Sequence, residues 1–279
     1  MKAAQILREK INSPAVTTGV LCTFHYWPGL VELAMRAGLD YIIIDLEHLT
    51  HDHEAVALGC AIGRMNDFPV LIRPPAAELT HIRLAMDLGP CGLLVPMVKS
   101  LDDMRTIEDG AFMPPRGRRR PGGVGNYWVS DYHHATWVEQ VEQDLVILPQ
   151  IESEAGLNNV DAIAAHDATT AMAIGPYDLS ANLGCCWRPD DPSHRAAVSR
   201  IRAAAKKAGK NMWQIGNAVD LVAQGYDFLC IAEPIMLLAW VVVAIVSILL
   251  REMGHAIAYR ACGHRSDVVL YGFGGVTTG

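Results

Sequence analysis

Four apolar runs in this 279-residue chain end on side chains capable of chemistry: Asp45-Leu46-Glu47-His48, Arg73-Pro74-Pro75, Gln150-Ile151-Glu152 and Gly175-Pro176-Tyr177-Asp178. Glu152 and Asp178 are hard oxygen donors, and two carboxylates suit a divalent cation, Mg²⁺ or Mn²⁺, that keeps positions open for water or substrate oxygens. The alternative for either acid is a helix cap. Arg73 offers a planar fork to a carboxylate or enolate oxygen, where fixed positive charge stabilises developing negative charge. Its alternative is a structural ion pair with one of the same acids. Histidine titrates near neutrality, which makes His48 a candidate general base, while His51 and His53 read as polar loop residues. Zinc held by His48, His51 and His53 is the competing assignment. The acids lie on other runs, however, and the spacing matches no strong zinc motif.

Such residues need a frame that brings strand ends together. From residue 16 to 231, short β-branched or apolar runs alternate with segments of helical period, the pattern of repeated βα units around a parallel sheet. Eight runs are expected as strands: residues 16–23, 41–45, 70–73, 92–96, 145–151, 171–174, 211–215 and 228–231. Tyr-Ile-Ile-Ile-Asp and Leu-Val-Ile-Leu-Pro-Gln-Ile are nearly all apolar, as strands buried on both faces must be. Asp191-Pro192-Ser193 opens a helix with Val198, Ile201 and Ala205 on one face, and Gly209 closes it. Gly38, Gly89 and Gly225 stand where left-handed helix ends are wanted. The expected fold is an α/β TIM (β/α)8 barrel over residues 1–233, with its active site at the carboxyl ends of the strands. The irregular stretch from Phe112 to Tyr132, rich in proline and glycine, reads as a lid or subunit-contact loop.

Composition narrows the partners. With 51% hydrophobic and 19% charged residues the chain is globular, and its net charge of −7 argues against nucleic acid, which needs a clustered basic surface. The single basic run, Arg116 to Arg120, lies between prolines and glycines and reads as a solvated or anion-facing loop. Seven cysteines without a Cys-x-x-Cys pair point to a reducing compartment, and the start of the chain has no apolar stretch of signal-peptide length. Residues 1–233 are expected to be cytoplasmic.

In order and spacing, Ile-Asp45-Leu-Glu-His48, Leu-Ile-Arg73-Pro, Asp87-Leu-Gly-Pro-Cys-Gly, Pro114-Pro115-Arg-Gly-Arg-Arg, Gln150-Ile-Glu152 and Gly175-Pro-Tyr-Asp178-Leu-Ser resemble the HpcH/HpaI (4-hydroxy-2-oxoheptanedioate aldolase) family. The resemblance runs through residues 1–233. It implies a class II aldolase that cleaves or forms 4-hydroxy-2-oxo acids, with a small 2-oxo acid and an aldehyde as partners and a homo-oligomeric assembly. Glu152 and Asp178 are implied as metal ligands, His48 as base and Arg73 as transition-state stabiliser, with Gln150, Tyr177 and Asp178 near the substrate. Asp87 matches a family aspartate that raises the basicity of the histidine. It precedes the fourth strand and would lie at the far end of its own barrel, so a neighbouring subunit would have to supply it; its alternative is a helix-end aspartate. Arg120 departs from the family pattern, which continues with glycine. Citrate-lyase-type lyases of acyl-CoA thioesters share the enolate chemistry and form one alternative, although no acyl-CoA site is legible.

After Glu233 the character changes. Pro234 to Leu250 carries no charge and as a helix would reach roughly 25 Å, just short of a ~30 Å hydrocarbon core. Apolar on all sides, it wants burial in a subunit interface or a bilayer, which raises the other alternative of a membrane-tethered or interaction protein with an inactive barrel. Residues 236–275 also resemble the first transmembrane helix of site-2-type membrane metalloproteases. Arg251 stands where the first histidine of their His-Glu-x-x-His motif would fall, and arginine cannot replace a neutral imidazole on zinc. Residues 234–279 are therefore expected to be an apolar helix and tail, read as a fusion near Glu233-Pro234.

Overall fold

The alternating runs close into a cylinder. The computed structural model describes residues 1–48, 51–120, 122–131, 133–263, 267–271 and 274–278. Among these, eight parallel strands pair in chain order: β1 (Thr17–Cys22), β2 (Tyr41–Asp45), β3 (Val70–Arg73), β4 (Gly92–Val95), β5 (Val146–Ile151), β6 (Ala171–Ile174), β7 (Asn211–Ile215) and β8 (Phe228–Ala232). β8 returns to β1, with Phe228 beside Thr17 and Leu229 beside Thr18. The fold is the expected (β/α)8 barrel. The chain divides into two compact units, Met1–Ala232 and Glu233–Gly279.

Strand side chains alternate between two buried layers. Ile42, Ile44, Val70 and Ile72 pack with the helical layer, whereas Tyr41, Ile43, Leu71, Val146, Leu148, Ala171 and Ala173 belong to the lumen. Counting on by twos, Asp45 continues the row of Tyr41 and Ile43, Arg73 that of Leu71, and Gln150 and Glu152 that of Val146 and Leu148. The polar strand ends are thus the last rungs of the inward rows. Each fully buried Ile or Leu contributes about 1.5–3 kcal/mol, so the strand middles hold the barrel and leave its carboxyl end free to carry charge.

The lumen is closed at its amino end by the helix Lys2–Ile11, whose Ala3, Ala4, Leu7 and Ile11 join the lumen cluster. Gly19 makes room there for Tyr41, since a Cβ would come within 2.5 Å of the ring. The Tyr41 hydroxyl donates to the Leu229 carbonyl at 2.7 Å and accepts from Trp213 Nε1 at 2.8 Å. Outside, Asp191 caps the helix Pro192–Lys207 by accepting from the Ser193 N–H. That helix buries Ala197, Ile201, Ala204 and Ala205, and Val198 is only half-buried. Gly38, Gly89, Gly209 and Gly225 all take positive φ, as their places after helices require.

The stretch following Phe112 corrects one expectation. It leaves the end of the helix Leu101–Ala111 and leads into the start of β5, and its Gly125 lies against Leu88 and Gly89 just before β4. It belongs to the amino face, opposite the carboxyl ends of the strands, so it cannot be a lid over that end of its own barrel.

The second unit is a helix, Pro234–Ala261, followed by an antiparallel hairpin of β9 (Asp267–Tyr271) and β10 (Gly274–Thr278). The side chains at 235–242 and 244 lie outside the described residues, and with them most of the apolar segment expected to reach a membrane or an interface. Among the described residues, no helix is long and apolar enough to cross a membrane. All seven cysteines are free thiols.

Candidate active site

The β2–β3 register sets Asp45 beside Arg73. Arg73 Nε donates to Asp45 Oδ1 at 2.8 Å and Nη2 donates to Oδ2 at 2.5 Å, while Nη1 lies 3.2 Å from Glu47 Oε2. Burial works against the Asp45 carboxylate, but the hydrogen bonds and charge of Arg73 overcome it and hold the carboxyl below its usual range. The ion pair considered for Arg73 is therefore formed, though with Asp45 and Glu47 rather than with Glu152 or Asp178.

Glu152, one residue past β5, is buried. Its Oε1 accepts the Met97 N–H at 2.6 Å, presented by a backbone turn at φ +53°. Gly175 leaves the space for the other oxygen: a Cβ there would lie 1.9 Å from Glu152 Oε2 and 2.7 Å from Gln150 Nε2. Burial pushes the Glu152 carboxyl up to about 8 against the Met97 hydrogen bond, and the nearby charges of Glu47 and Asp178 push the same way. Glu47 is raised as well: burial outweighs the lowering charges of Arg73 and His48, and Asp45 and Asp178 add smaller upward pushes. Asp178, exposed in the first turn of the helix Pro176–Asn182, thus acts on both acids. Four carboxylates confront one buried guanidinium.

This charge imbalance suits a cation. Gln150 Oε1 is buried without a hydrogen-bond partner among the described residues, Glu47 Oε2 has the Arg73 ion pair but no hydrogen bond, and the donors are all hard oxygens, the set that Mg²⁺ or Mn²⁺ takes. Among the described residues, no three His, Cys, Asp or Glu side chains are placed to share a metal ion, so the three-histidine zinc alternative is not assembled. His51 instead sets its ring edge-on to Tyr26. His48 stands just past β2, half-exposed, with Nε2 3.7 Å from Glu47 Oε2. Tyr177 is exposed and rests on Trp187.

Asp87 is elsewhere. It ends the helix Leu79–Asp87 that leads into the amino end of β4, and it accepts from Arg119 Nη2 at 2.8 Å. Arg119 is buried with its guanidinium 5.0 Å from the centre of the Trp137 ring. Within one barrel, Asp87 and His48 occupy opposite ends.

Reading the sequence assigned no role to Asp45, Glu47 or the Met97 N–H. Asp45 and Glu47 lie in the same strand-end run as His48, and the inward parity of Asp45 was available as a signal. The Met97 N–H had none, because a backbone donor is invisible in residue type.

A model of the HpcH/HpaI aldolase/citrate lyase family matches residues 26–229. The chain belongs to that family. As an HpcH/HpaI member it is an enzyme of the carbon–carbon lyase class, and the match ends before residues 234–279. It is 31% identical to a 4-hydroxy-2-oxovalerate aldolase of Rhodococcus jostii, over 75% of this chain and 82% of that protein. A hydroxypyruvate/pyruvate aldolase of Pseudomonas aeruginosa is 34% identical over 65% of this chain and 69% of its own. The crystal structure of an HpcH/HpaI aldolase from Desulfitobacterium hafniense superimposes with a TM-score of 0.77 at 26% identity, covering 87% of this chain and 96% of that one.

Proposed function

We propose that this HpcH/HpaI member is a divalent-metal-dependent class II aldolase that cleaves 4-hydroxy-2-oxo acids to pyruvate and an aldehyde, and joins them in the reverse direction. What carries the reading is Glu152, a buried carboxylate pushed up to about 8 by burial and by Glu47 and Asp178, and so short of positive charge. Glu152 and Asp178 would hold Mg²⁺ or Mn²⁺, which when bound supplies Lewis-acid polarisation of the 2-oxo acid's oxygens.

The chain's own residues do the rest. Held by Asp45, Arg73 keeps its fork in one orientation and sets fixed positive charge where the enolate oxygen develops. His48 takes the proton of the 4-hydroxyl group. The C3–C4 bond breaks, the aldehyde leaves with its new carbonyl, and the electron pair stays on C3 as pyruvate enolate. A proton delivered to C3 completes pyruvate. Gln150 and Tyr177 flank the 2-oxo acid. Asp87, at the opposite end of its own barrel, serves the His48 of a neighbouring subunit in a homo-oligomer.

The test is pyruvate release from 4-hydroxy-2-oxo acids by the full chain, before and after chelation and on restoring Mg²⁺ or Mn²⁺. Loss and recovery with metal, and loss in Glu152→Ala together with its bound metal, are expected. A Glu152→Ala protein with unchanged metal content and undiminished release would overturn the assignment.

A further inference from the structure

Trp187 adopts a backbone conformation that bulky side chains avoid. Its φ is +62°, in the left-handed region where a Cβ crowds the following carbonyl. Burial does not explain this, because the residue is 72% exposed. The backbone is held from beneath instead: the Trp187 N–H donates to Ser180 Oγ at 3.0 Å, the buried Ser180 hydroxyl donates to the Tyr177 carbonyl at 2.7 Å, and the Cys185 N–H donates to the Ser180 carbonyl at 2.9 Å. The result is a wall of two rings, with Trp187 against Tyr177 at 4.9 Å between centres and 45° between planes. Tyr177 immediately precedes Asp178. Strain retained to present an exposed ring against the residue that precedes Asp178 is a mark of function.

The surroundings show what such a wall would receive. Phe24 and Trp27, both exposed, follow β1 at the same end of the barrel. The cations nearest in the chain are already engaged, Arg188 of the Trp187 loop with Asp191 at 3.6 Å and Arg195 of the following helix with Asp190 at 2.7 Å. The loop therefore holds flat apolar surface with its charges neutralised, which suits an aromatic group better than a second carboxylate or a polyhydroxylated chain.

We propose that the Tyr177–Trp187 pair is the acceptor wall of this site and selects aldehydes carrying an aromatic ring. The inference rests on the aldolase reading above. In the synthetic direction, C3 of pyruvate loses a proton and bonds to the carbonyl carbon of the aromatic aldehyde, whose oxygen takes up a proton. The product is a 4-aryl-4-hydroxy-2-oxobutanoate.

The experiment uses the full chain with Mn²⁺, pyruvate and either benzaldehyde or glycolaldehyde. Trp187→Gly removes the ring while placing at φ +62° the residue that tolerates it. The benzaldehyde-to-glycolaldehyde ratio of kcat/KM is expected to fall roughly 3- to 10-fold in this variant, the worth of one aromatic contact. A misfolded site would lower both aldehydes together and leave the ratio in place, and an unchanged ratio overturns the acceptor wall. Exchange of the pyruvate methyl protons with D₂O, followed by NMR on the wild-type protein without aldehyde, separates the two readings. Without exchange the aldolase reading falls and takes this one with it; exchange with an unchanged ratio overturns only the acceptor wall.

Discussion

Asp45 stands beside Arg73 in the β2–β3 ladder and accepts from two of its three guanidinium nitrogens, Nε at 2.8 Å and Nη2 at 2.5 Å. Two parallel hydrogen bonds fix the plane of the fork as well as its position. Nη1, beside Glu47, is the corner that Asp45 leaves free.

Asp45→Asn should therefore act on both stability and rate. It removes the main counter-charge of a buried arginine, a change that costs about 3–5 kcal/mol when one partner of a buried pair is lost; Glu47 places the cost at the lower end. A lowered denaturation midpoint and a fall in kcat larger than the rise in KM are expected. A midpoint equal to that of the wild-type protein would show that the pair contributes nothing net.

Gly175 tests whether the room around Glu152 matters. Gly175→Ala would place a methyl 1.9 Å from Glu152 Oε2, so the carboxylate has to move. Displacements of about 1 Å in a catalytic group cost on the order of 100-fold in rate. The expected variant keeps its far-UV circular dichroism, binds Mn²⁺ more weakly by EPR and turns over about 100-fold more slowly; undiminished turnover would refute the role given to that space.

Glu142, on the amino face, predicts a pH effect away from the site. It accepts from the Met113 N–H at 2.6 Å and from Trp137 Nε1 at 3.0 Å, yet burial raises its carboxyl above the usual range. A raised folded-state value means that the folded protein holds this proton more tightly than the unfolded chain. The stabilising contribution is thus complete below the ordinary carboxylate range and is lost as pH rises through the folded value. Glu142→Gln keeps an acceptor oxygen and never ionises, so its melting temperature should gain on the wild type as pH climbs from about 4 towards neutrality. A gap that is flat or shrinks over that range rejects the prediction.

Asp87 and His48 offer a test by complementation. If Asp87 serves a neighbouring subunit, Asp87→Ala and His48→Ala proteins, each inactive alone, should regain activity when refolded together, because some assembled sites then carry both wild-type residues. Activity no greater than that of the separate proteins would confine Asp87 to its pairing with Arg119.

Much of this molecule is written in local pattern. Apolar runs such as Tyr41–Ile44, bounded by helix-ending glycines and by caps such as Asp191, identify strands and helices from residue type alone. Their alternation leaves a closed parallel barrel as the economical way to bury them. The gathering of His48, Arg73, Glu152 and Asp178 at one end of the barrel was legible because a barrel brings its strand ends together, so position in the chain implies which end a residue occupies. The direction of the Phe112–Tyr132 stretch was not legible, since composition marks a loop without saying which end of the barrel it serves.

What the tertiary structure decided is pairing. Strand register chose Asp45 as the partner of Arg73, the bare backbone at Gly175 opened a space for Glu152, and a turn at Met97 aimed an N–H that no residue type announces. It also paired Asp87 with Arg119 and set Trp187 against Tyr177. Residue type determines what a group can do, whereas distances of 2.5 to 5 Å between segments tens of residues apart depend on closing the whole cylinder. The chain by itself determined an aldolase-type barrel and its acids; only the closed fold decided which charges meet.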